Sequence, residues 1–583
     1  MNDLKYIMPH LKRYIPAYIF GILLLMVIDT LQLVTPLIIG NFTDTLMSGN
    51  LTADKIPFYM FAVVGIAVLV AVGRFGWRMT IITTSKKLEY SLRNQIFEHL
   101  EKLPLNYYNH HKTGDLMAHC TNDVNSVRMA FGPGVVMFID AMFMGVMTIF
   151  LMITRVNLNL TLLAILPLPL IAFFIIALGK HIQNLFKGVQ EAFSDLTDNV
   201  QEAFSGIRII KSFVMEKKTL DHFNEKSREN FDANMNLVKL FGFVQPLVGF
   251  IATTSTLISL VYGGTLVIDQ VITIGEFVTF ITYVGMLTWP VMALGFVYNM
   301  IQRGQVSLRR INVILETEPE IADANHLLDL YPFVPTIDVK NLTFTYPGAE
   351  EPVLKNIHFS VQRGETVAII GKTGSGKTTL MNLLLKLYNV DDGTIFYNNK
   401  DLNDLPIKAL RDQIGYVPQD NFLFSKSIAY NIGFANETLE DDQIRSAAEV
   451  SQIHEEIMTF SEAYNTELGE RGVNMSGGQK QRVSIARALY KKPPIVMLDD
   501  SLSAVDTKTE ESILGHLKEE LAGTTTLIVA HRISTIKDAD QIIVLDQGEI
   551  VERGTHETLM TLDGIYKDMY TKQLLEEKIA KES

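Results

Sequence analysis

Six apolar stretches, near residues 16–40, 57–80, 133–155, 158–179, 242–268 and 277–300, constrain this chain more than any other feature. A bilayer core is about 30 Å thick, and a helix needs about 20 mostly apolar residues to cross it. Residues 57–73, PFYMFAVVGIAVLVAVG, contain no charge. One or two such runs could be buried helices of a large soluble protein. Six within the first 300 residues predict a membrane-spanning helical domain. The first run does not read as a signal peptide, although Lys5, Lys12 and Arg13 precede it. Its apolar region is too long, and no small-x-small cleavage site follows. Residues 1–13 are expected instead to form a short interfacial segment.

The connectors predict the topology. Those near 41–56, 155–158 and 269–276 are short, and those near 81–132 and 180–240 are long. The long ones carry Lys86, Lys87, Arg93, Lys102, Lys112, Arg208, Lys211, Lys217 and Lys218. Basic connectors stay in the cytoplasm, so both long connectors and both termini are expected there. The long connectors suit helices continuing out of the membrane, since 25 helical residues cover nearly 40 Å. Asp29 and Asp140 fall within apolar runs, and Arg74 lies towards the end of another. Such residues suit either a polar patch in a substrate pathway or a structural pair. The third run holds Met137, Phe138, Met142, Phe143, Met144 and Met147, an adaptable apolar surface that suits varied ligands or ordinary helix packing.

Charge divides the chain at the same place. Residues 1–315 contain 25 basic and 21 acidic side chains, net +4, and residues 316–583 contain 26 and 43, net −17. The acidic second part argues against a nucleic-acid partner. The lone cysteine, Cys120, excludes a disulfide framework and a Cys-based zinc site. His110 and His111 read as a solvated loop rather than metal ligands.

From about residue 336 the pattern becomes strand–helix alternation, as in an α/β domain. The apolar run ETVAII (365–370) is followed by GKTGSGKT (371–378) and a helical TLMNLLLKLY. This is a phosphate-binding loop in its strand–loop–helix context. Gly371, Gly374 and Gly376 let backbone N–H groups surround phosphate oxygens, beside Thr373 and Ser375. Lys377 faces the terminal phosphates, Thr378 supplies a hydroxyl for Mg2+, and Thr379 follows. A second apolar strand, PIVMLDD (494–500), ends in Asp499, placed to hold Mg2+, and Asp500, placed where a general base would stand.

With these motifs stands NMSGGQKQRVSIARAL (474–489). It resembles the signature sequence of ATP-binding-cassette (ABC) proteins, with Met475 in place of the usual Leu. Tyr346 in FTYPG resembles the aromatic that stacks on adenine. Gln419 in YVPQD resembles the glutamine that reaches the metal and the attacking water, and His531 in IVAHR the switch histidine. TELGERG (466–472) resembles the exporter segment that touches the membrane helices, and SAVD (503–506) the D-loop. NHHKTGDLMAHCTNDV (109–124) and EAFSGIRIIKSF (202–213) resemble the two cytoplasmic loops of ABC exporters.

The resemblance implies a half-transporter: a transmembrane domain over 1–315, a linker over 316–335, and a nucleotide-binding domain over 336–583 with a helical tail. The implied fold is six membrane helices with long cytoplasmic extensions plus an α/β P-loop ATPase domain. The implied ligands are ATP and Mg2+. The implied partners are a second half-transporter, membrane lipid and a small amphiphilic substrate. Two such chains sandwich two ATPs head to tail, so Ser476, Gly477, Gly478 and Gln479 would contact ATP held by the partner's P-loop.

One departure is informative. The family normally has Glu after the Walker-B Asp499, and this chain has Asp500, shorter by one methylene. A misplacement of about 1 Å can cost on the order of a hundredfold in rate. The site of Lys377, Asp499 and Asp500 is therefore expected to bind ATP but hydrolyse it slowly. That combination resembles one subunit of heterodimeric bacterial multidrug exporters in the cytoplasmic membrane. A homodimeric lipid or peptide exporter and a nucleotide-gated channel or regulatory subunit are the alternatives.

Overall fold

In the computed structural model the described residues are 4–323, 327–436, 438–501, 513, 515–517, 520, 522–530 and 532–582. Cα packing separates two units, Met1–Glu101 with Thr113–Thr317, and Lys102–Lys112 with Glu318–Ser583.

The first unit is helical. Its long elements are α1 (Met8–Met47) and α2 (Ile56–Leu100). After α3 (Leu105–His110), which belongs to the second unit, come α4 (Thr113–Ala118), α5 (Val124–Met129) and α6 (Val135–Arg155). Two π-helical turns, His119–Asp123 and Ala130–Gly134, join α4, α5 and α6 into one nearly continuous rod. Then follow α7 (Leu158–Ile165), α8 (Leu168–Ser205), α9 (Ile207–Ser212), α10 (Glu216–Ile268) and α11 (Ile274–Glu316). Among the described residues, five helical stretches are long and apolar enough to cross a bilayer. Those of α1, α2, α10 and α11 each exceed 30 Å at 1.5 Å per residue, so the apolar runs and the more polar stretches adjoining them are single helices.

Two details depart from the sequence-based expectation. The run at 158–179 is not one helix, because it breaks at Leu166–Pro167 between α7 and α8. Proline lacks an amide donor and clashes with the preceding turn. Residues 8–13 are not a separate segment either, since α1 runs through them without interruption.

The burial pattern fits lipid. The most apolar window of α2 is only 6% buried, leaving Phe58, Phe61 and Phe75 bare. In water such a surface would be a large liability, whereas hydrocarbon solvates it. Where helices do meet, small residues and polar groups join them. A Cβ on Gly40 of α1 would clash with Thr279 and the Gly275 backbone of α11. Around Pro36, Tyr283 Oη and Thr279 Oγ1 of α11 donate to the carbonyls of Leu33 (2.7 Å) and Pro36 (3.0 Å). Further along, Asp123 accepts from Ser307 Oγ (2.7 Å) and Arg310 Nε (2.9 Å), tying the first π-turn to α11.

The second unit holds two sheets. Strands β1 (Ile337–Phe344), β2 (Leu354–Val361), β4 (Ile395–Tyr397) and β5 (Lys400–Asp401) form an antiparallel sheet in the order β2-β1-β4-β5. The larger sheet has the order β10-β9-β3-β8-β7-β6. It comprises β3 (Thr366–Ile370), β6 (Ile414–Val417), β7 (Ile495–Asp499), β8 (Thr525–Val529), β9 (Gln541–Asp546) and β10 (Glu549–Gly554). All but the edge strand β10 run parallel. Parallel strands need cover on both faces, and every residue of β7 is buried. The described helices here are α12 (Lys377–Leu384), α13 (Ile407–Asp412), α14 (Ile428–Ile432), α15 (Asp441–Val450), α16 (His454–Thr459) and α17 (Gly477–Leu489), besides His556–Thr561 and Ile565–Glu582. Strand order puts β8 between β3 and β7, with β6 beyond. The carboxyl ends of β3, β7 and β6 therefore open on one side, where ligands bind in open α/β sheets.

Candidate nucleotide site

The loop after β3 is shaped by glycine. Gly374 and Gly376 adopt φ of +82° and +101°, in the left-handed region. A Cβ on Gly376 would stand 2.6 Å from Leu354, and one on Gly371 would strike the Leu545 carbonyl. The loop thus runs against β2 and β9 and delivers α12, whose first N–H groups lack intrahelical partners and favour an anion.

A cleft of about 230 Å³ lies over these elements. Thr373, Gly374, Gly376, Lys377, Thr378 and Thr379 line one side. Asp499, the last residue of β7, and Asp500 line it too, as does Gln419, just beyond β6. Residues as far apart as Thr373 and Asp500, 127 positions, are brought together by the strand order. Lys377 is 6% exposed. Burial pushes its ammonium below the ordinary lysine range, and the charges of Asp499 and Asp500 act in the opposite direction. Its Nζ donates to the carbonyls of Gly371 and Lys372, each at 2.9 Å. An ammonium has three donors, so one remains for a phosphate.

Ser375 is 3% exposed, and among the described residues its Oγ has no hydrogen-bond partner. A buried hydroxyl of this kind, beside inward-turning glycines, fits a polyphosphate. The Thr378 hydroxyl, the Asp499 carboxylate and the Gln419 amide are oxygen donors around the same cleft, the donor class that Mg2+ takes alongside nucleotide phosphates. Asp500 has φ +48°, a left-handed conformation that the short polar Asp side chain tolerates. Its amide donates to the Val529 carbonyl at 2.9 Å, which pins the residue at the strand end.

Tyr346 stands next to this cleft rather than among its lining residues. Its Oη and Thr379 Oγ1 are 2.8 Å apart, and its ring meets Phe344 and Tyr388 edge-on with centroids 5.1 and 5.2 Å away. Tyr388 Oη accepts from Asn109 of α3 at 3.1 Å. Asn109 opens the 109–124 segment and Tyr388 closes the helical run after the phosphate loop, but no spacing signal could have paired them. His110 and His111 bond the carbonyls of Asn106 and Tyr107 through Nδ1, each at 2.9 Å.

The signature lies elsewhere in this unit. Ser476 caps α17, with Gln479 N donating to its Oγ (3.3 Å) and Ser476 N donating to Gln479 Oε1 (2.9 Å). Gln479 Nε2 also donates to Glu456 of α16 (2.8 Å), which holds Arg482 (2.6 Å) as well. Both ends of the Gln479 amide are therefore spent on positioning α17, a role the sequence does not reveal. Ser476 and Gly477 are exposed, and Met475 is buried among Ile428, Ile457 and Val483. Arg487 completes the anchoring, donating to Asn431 O (2.7 Å) and to Phe422 O (3.0 Å), just beyond Gln419. Burial brings its guanidinium down to about 10. His531 and the SAVD segment at 503–506 lie outside the described residues.

Comparisons with known proteins agree with this geometry. The family model for the ABC transporter transmembrane region matches residues 18–291, and the ABC transporter model matches residues 354–503. The chain is 38% identical to the probable multidrug resistance ABC transporter ATP-binding/permease protein YheI of Bacillus subtilis, covering 97% of this chain and 96% of that one. It is 35% identical to the multidrug resistance-like ATP-binding protein MdlA of Escherichia coli, over 97% and 96%. It is 34% identical to an ATP-dependent lipid A-core flippase of Syntrophus aciditrophicus, over 85% and 82%. Among solved structures, a bacterial Atm1-family ABC exporter with ATP bound superposes with a TM-score of 0.78 at 26% identity, covering 96% of this chain and 98% of that one.

Proposed function

The chain belongs to the ABC transporter family, as an exporter half-transporter whose membrane domain is fused to one nucleotide-binding domain, and from that premise we propose that it exports amphiphilic or hydrophobic compounds as one half of a heterodimer with one slow ATP site. ATP-driven export is common ground with its multidrug-type relatives. The finer reading rests on Asp500 in the cleft with Lys377, while the signature surface at Ser476 and Gly477 is near family pattern.

In this reading Lys377 and the amides after Gly374 hold the phosphates, and Tyr346 supports the adenine. Thr378, Gln419 and Asp499 hold Mg2+, which when bound would neutralise phosphate charge. Asp500 is asked to take a proton from the attacking water, and His531 to assist. The carboxylate of Asp500 stops one methylene short, so water is oriented poorly and hydrolysis here is slow. The Ser476–Gln479 surface, held rigid by Glu456 and Arg487, completes the other site, where a partner subunit with Glu performs hydrolysis. Closure of the two cassettes around ATP turns the membrane cavity outward, and product release resets it. Location in a bacterial cytoplasmic membrane, with the cassette and both termini in the cytoplasm, follows from the basic long connectors.

Two measurements test this. The tagged chain, purified from its native membrane, should bring a second ABC subunit with Glu after its Walker-B Asp; a lone homodimer with full ATPase activity sinks the heterodimer. Inside-out vesicles should accumulate an amphiphilic dye only with ATP. If they move labelled lipid and no dye, lipid export replaces drug export, as the flippase relative makes reasonable.

A further inference from the structure

The last helix, Ile565–Glu582, reads in the sequence as no more than a tail, yet it packs against the strands that carry the nucleotide site. Its start is held by the edge strand. Glu552 of β10 accepts from the Tyr566 amide at 3.0 Å, and a Cβ on Gly564 would strike the same carboxylate. Tyr566, Met569, Tyr570 and Gln573 follow at steps of three and four residues, so they share one helix face. The three apolar members pack into one core with Ile370 of β3, Ala530 and Ile533. Gln573 is the polar end of that stripe. Its Oε1 accepts from the Ile533 amide at 2.8 Å, across 40 positions.

Ile533 opens a short 3₁₀ turn, Ile533–Thr535, and Arg532 before it offers no side-chain cap. The first N–H groups of a helical turn find no partner within it, and Ile533 is fully buried. A buried donor left unmet costs more than a met one contributes, so Gln573 supplies what the local chain lacks. On the other side, the Ala530 amide donates to the Ile369 carbonyl of β3 at 3.3 Å. The backbone is thus fixed one residue before His531 and two residues after it. The strand that feeds the phosphate loop holds the first point, and the C-terminal helix holds the second. A group that serves a reacting phosphate works only if its support holds it to within about 0.5 Å.

We propose that Gln573 is a positioning residue for ATP hydrolysis, fixing the backbone after His531 from the C-terminal helix. The proposal rests on the reading that His531 assists at this chain's own site. Gln573 acts through the Ile533 amide, and its helix belongs to the hydrolytic machinery.

The test uses the purified full-length complex with Asp500→Glu in this chain, which gives its site a rate to lose. The quantity read is the Lys377-dependent part of single-turnover ATP hydrolysis. Gln573→Met keeps the side-chain length and removes the acceptor, so the rate should fall by about tenfold, the upper range for one lost hydrogen bond. ATP retained at this site should not change. Gln573→Glu keeps an acceptor oxygen and should recover most of the rate. In a His531→Ala background, Gln573→Met should alter the rate by less than about twofold, because residues that act as a unit are not additive. Equal losses in the Met and Glu variants overturn the proposal, and so does an undiminished loss in His531→Ala. Hydrogen exchange over residues 530–536 reads the same contact without turnover: Gln573→Met should quicken it and Gln573→Glu should not. If His531→Ala alone costs no rate, the reading of His531 fails, and positioning by Gln573 then stands or falls on that exchange.

Discussion

On the proposed reading the cassette unit presents two surfaces to nucleotide, and they are built unequally. Around Lys377 the chain supplies a deep cleft with a buried cation, glycines that admit the backbone to phosphate, and two carboxylates at the end of β7. Around Ser476 it supplies an exposed helix start, held from behind by a reciprocal cap, Glu456 and Arg487. The first surface departs from the family at a group that would have to touch the reacting water. The second departs at Met475, which is buried in the core behind the helix. Position, not conservatism of the substitution, decides which departure matters. On the proposed reading the chain binds well on one side and completes hydrolysis on the other.

Substitutions on either side can break this contrast. Gly477→Asp puts a negative charge at a helix start, where it suits the helix itself and opposes only an incoming phosphate. Turnover of the purified complex should fall by on the order of a thousandfold, the scale of losing a key electrostatic contact and adding a repulsion. Lys377→Ala should instead cost complex turnover less than about tenfold, while nucleotide retained at this chain's own site falls by about a hundredfold. If the two variants reduce steady-state ATPase equally, the surfaces are equivalent and the contrast is wrong. Asp500→Glu sharpens it from the other direction. Restoring the missing methylene should raise hydrolysis at this site by on the order of ten- to a hundredfold in single-turnover assays.

Smaller effects belong to the scaffold behind the signature. Gln479→Ala removes half of the cap and the Glu456 bond, so thermal melting should report a loss of about 1 kcal/mol. Met475→Leu should alter stability by less than about 1.5 kcal/mol and leave turnover unchanged, because the two side chains have similar volume. A turnover change there would mean that the signature departure is functional after all.

Much of this molecule is legible in the sequence for identifiable reasons. Hydropathy over twenty residues is a local property, so the membrane runs can be read directly. Breaks within them cannot. Pro16 and Pro36 lie inside an unbroken α1, where α11 satisfies carbonyls around Pro36, whereas Pro167 separates two helices. Whether a proline kinks or ends a helix depends on neighbours that sequence alone does not supply. The phosphate loop is legible because its chemistry needs glycine at fixed spacing. The contact of Asn109 with Tyr388 is not, since 279 positions separate the two and nothing in either segment points to the other. Gln479 shows the same limit in reverse: its signature membership is plain, but its engagement by Glu456 depends on where α16 lies.

The central claim is that the site of Lys377, Asp499 and Asp500 holds ATP without consuming it. Incubating the purified complex with labelled ATP and Mg2+, removing free nucleotide rapidly, and identifying what stays bound tests it most directly. The account predicts that nucleotide retained through Lys377, defined as the fraction lost in Lys377→Ala, is mainly intact ATP after many turnovers of the complex. Finding that fraction to be mainly ADP would contradict it, and Asp500 would then be a competent base despite its short reach.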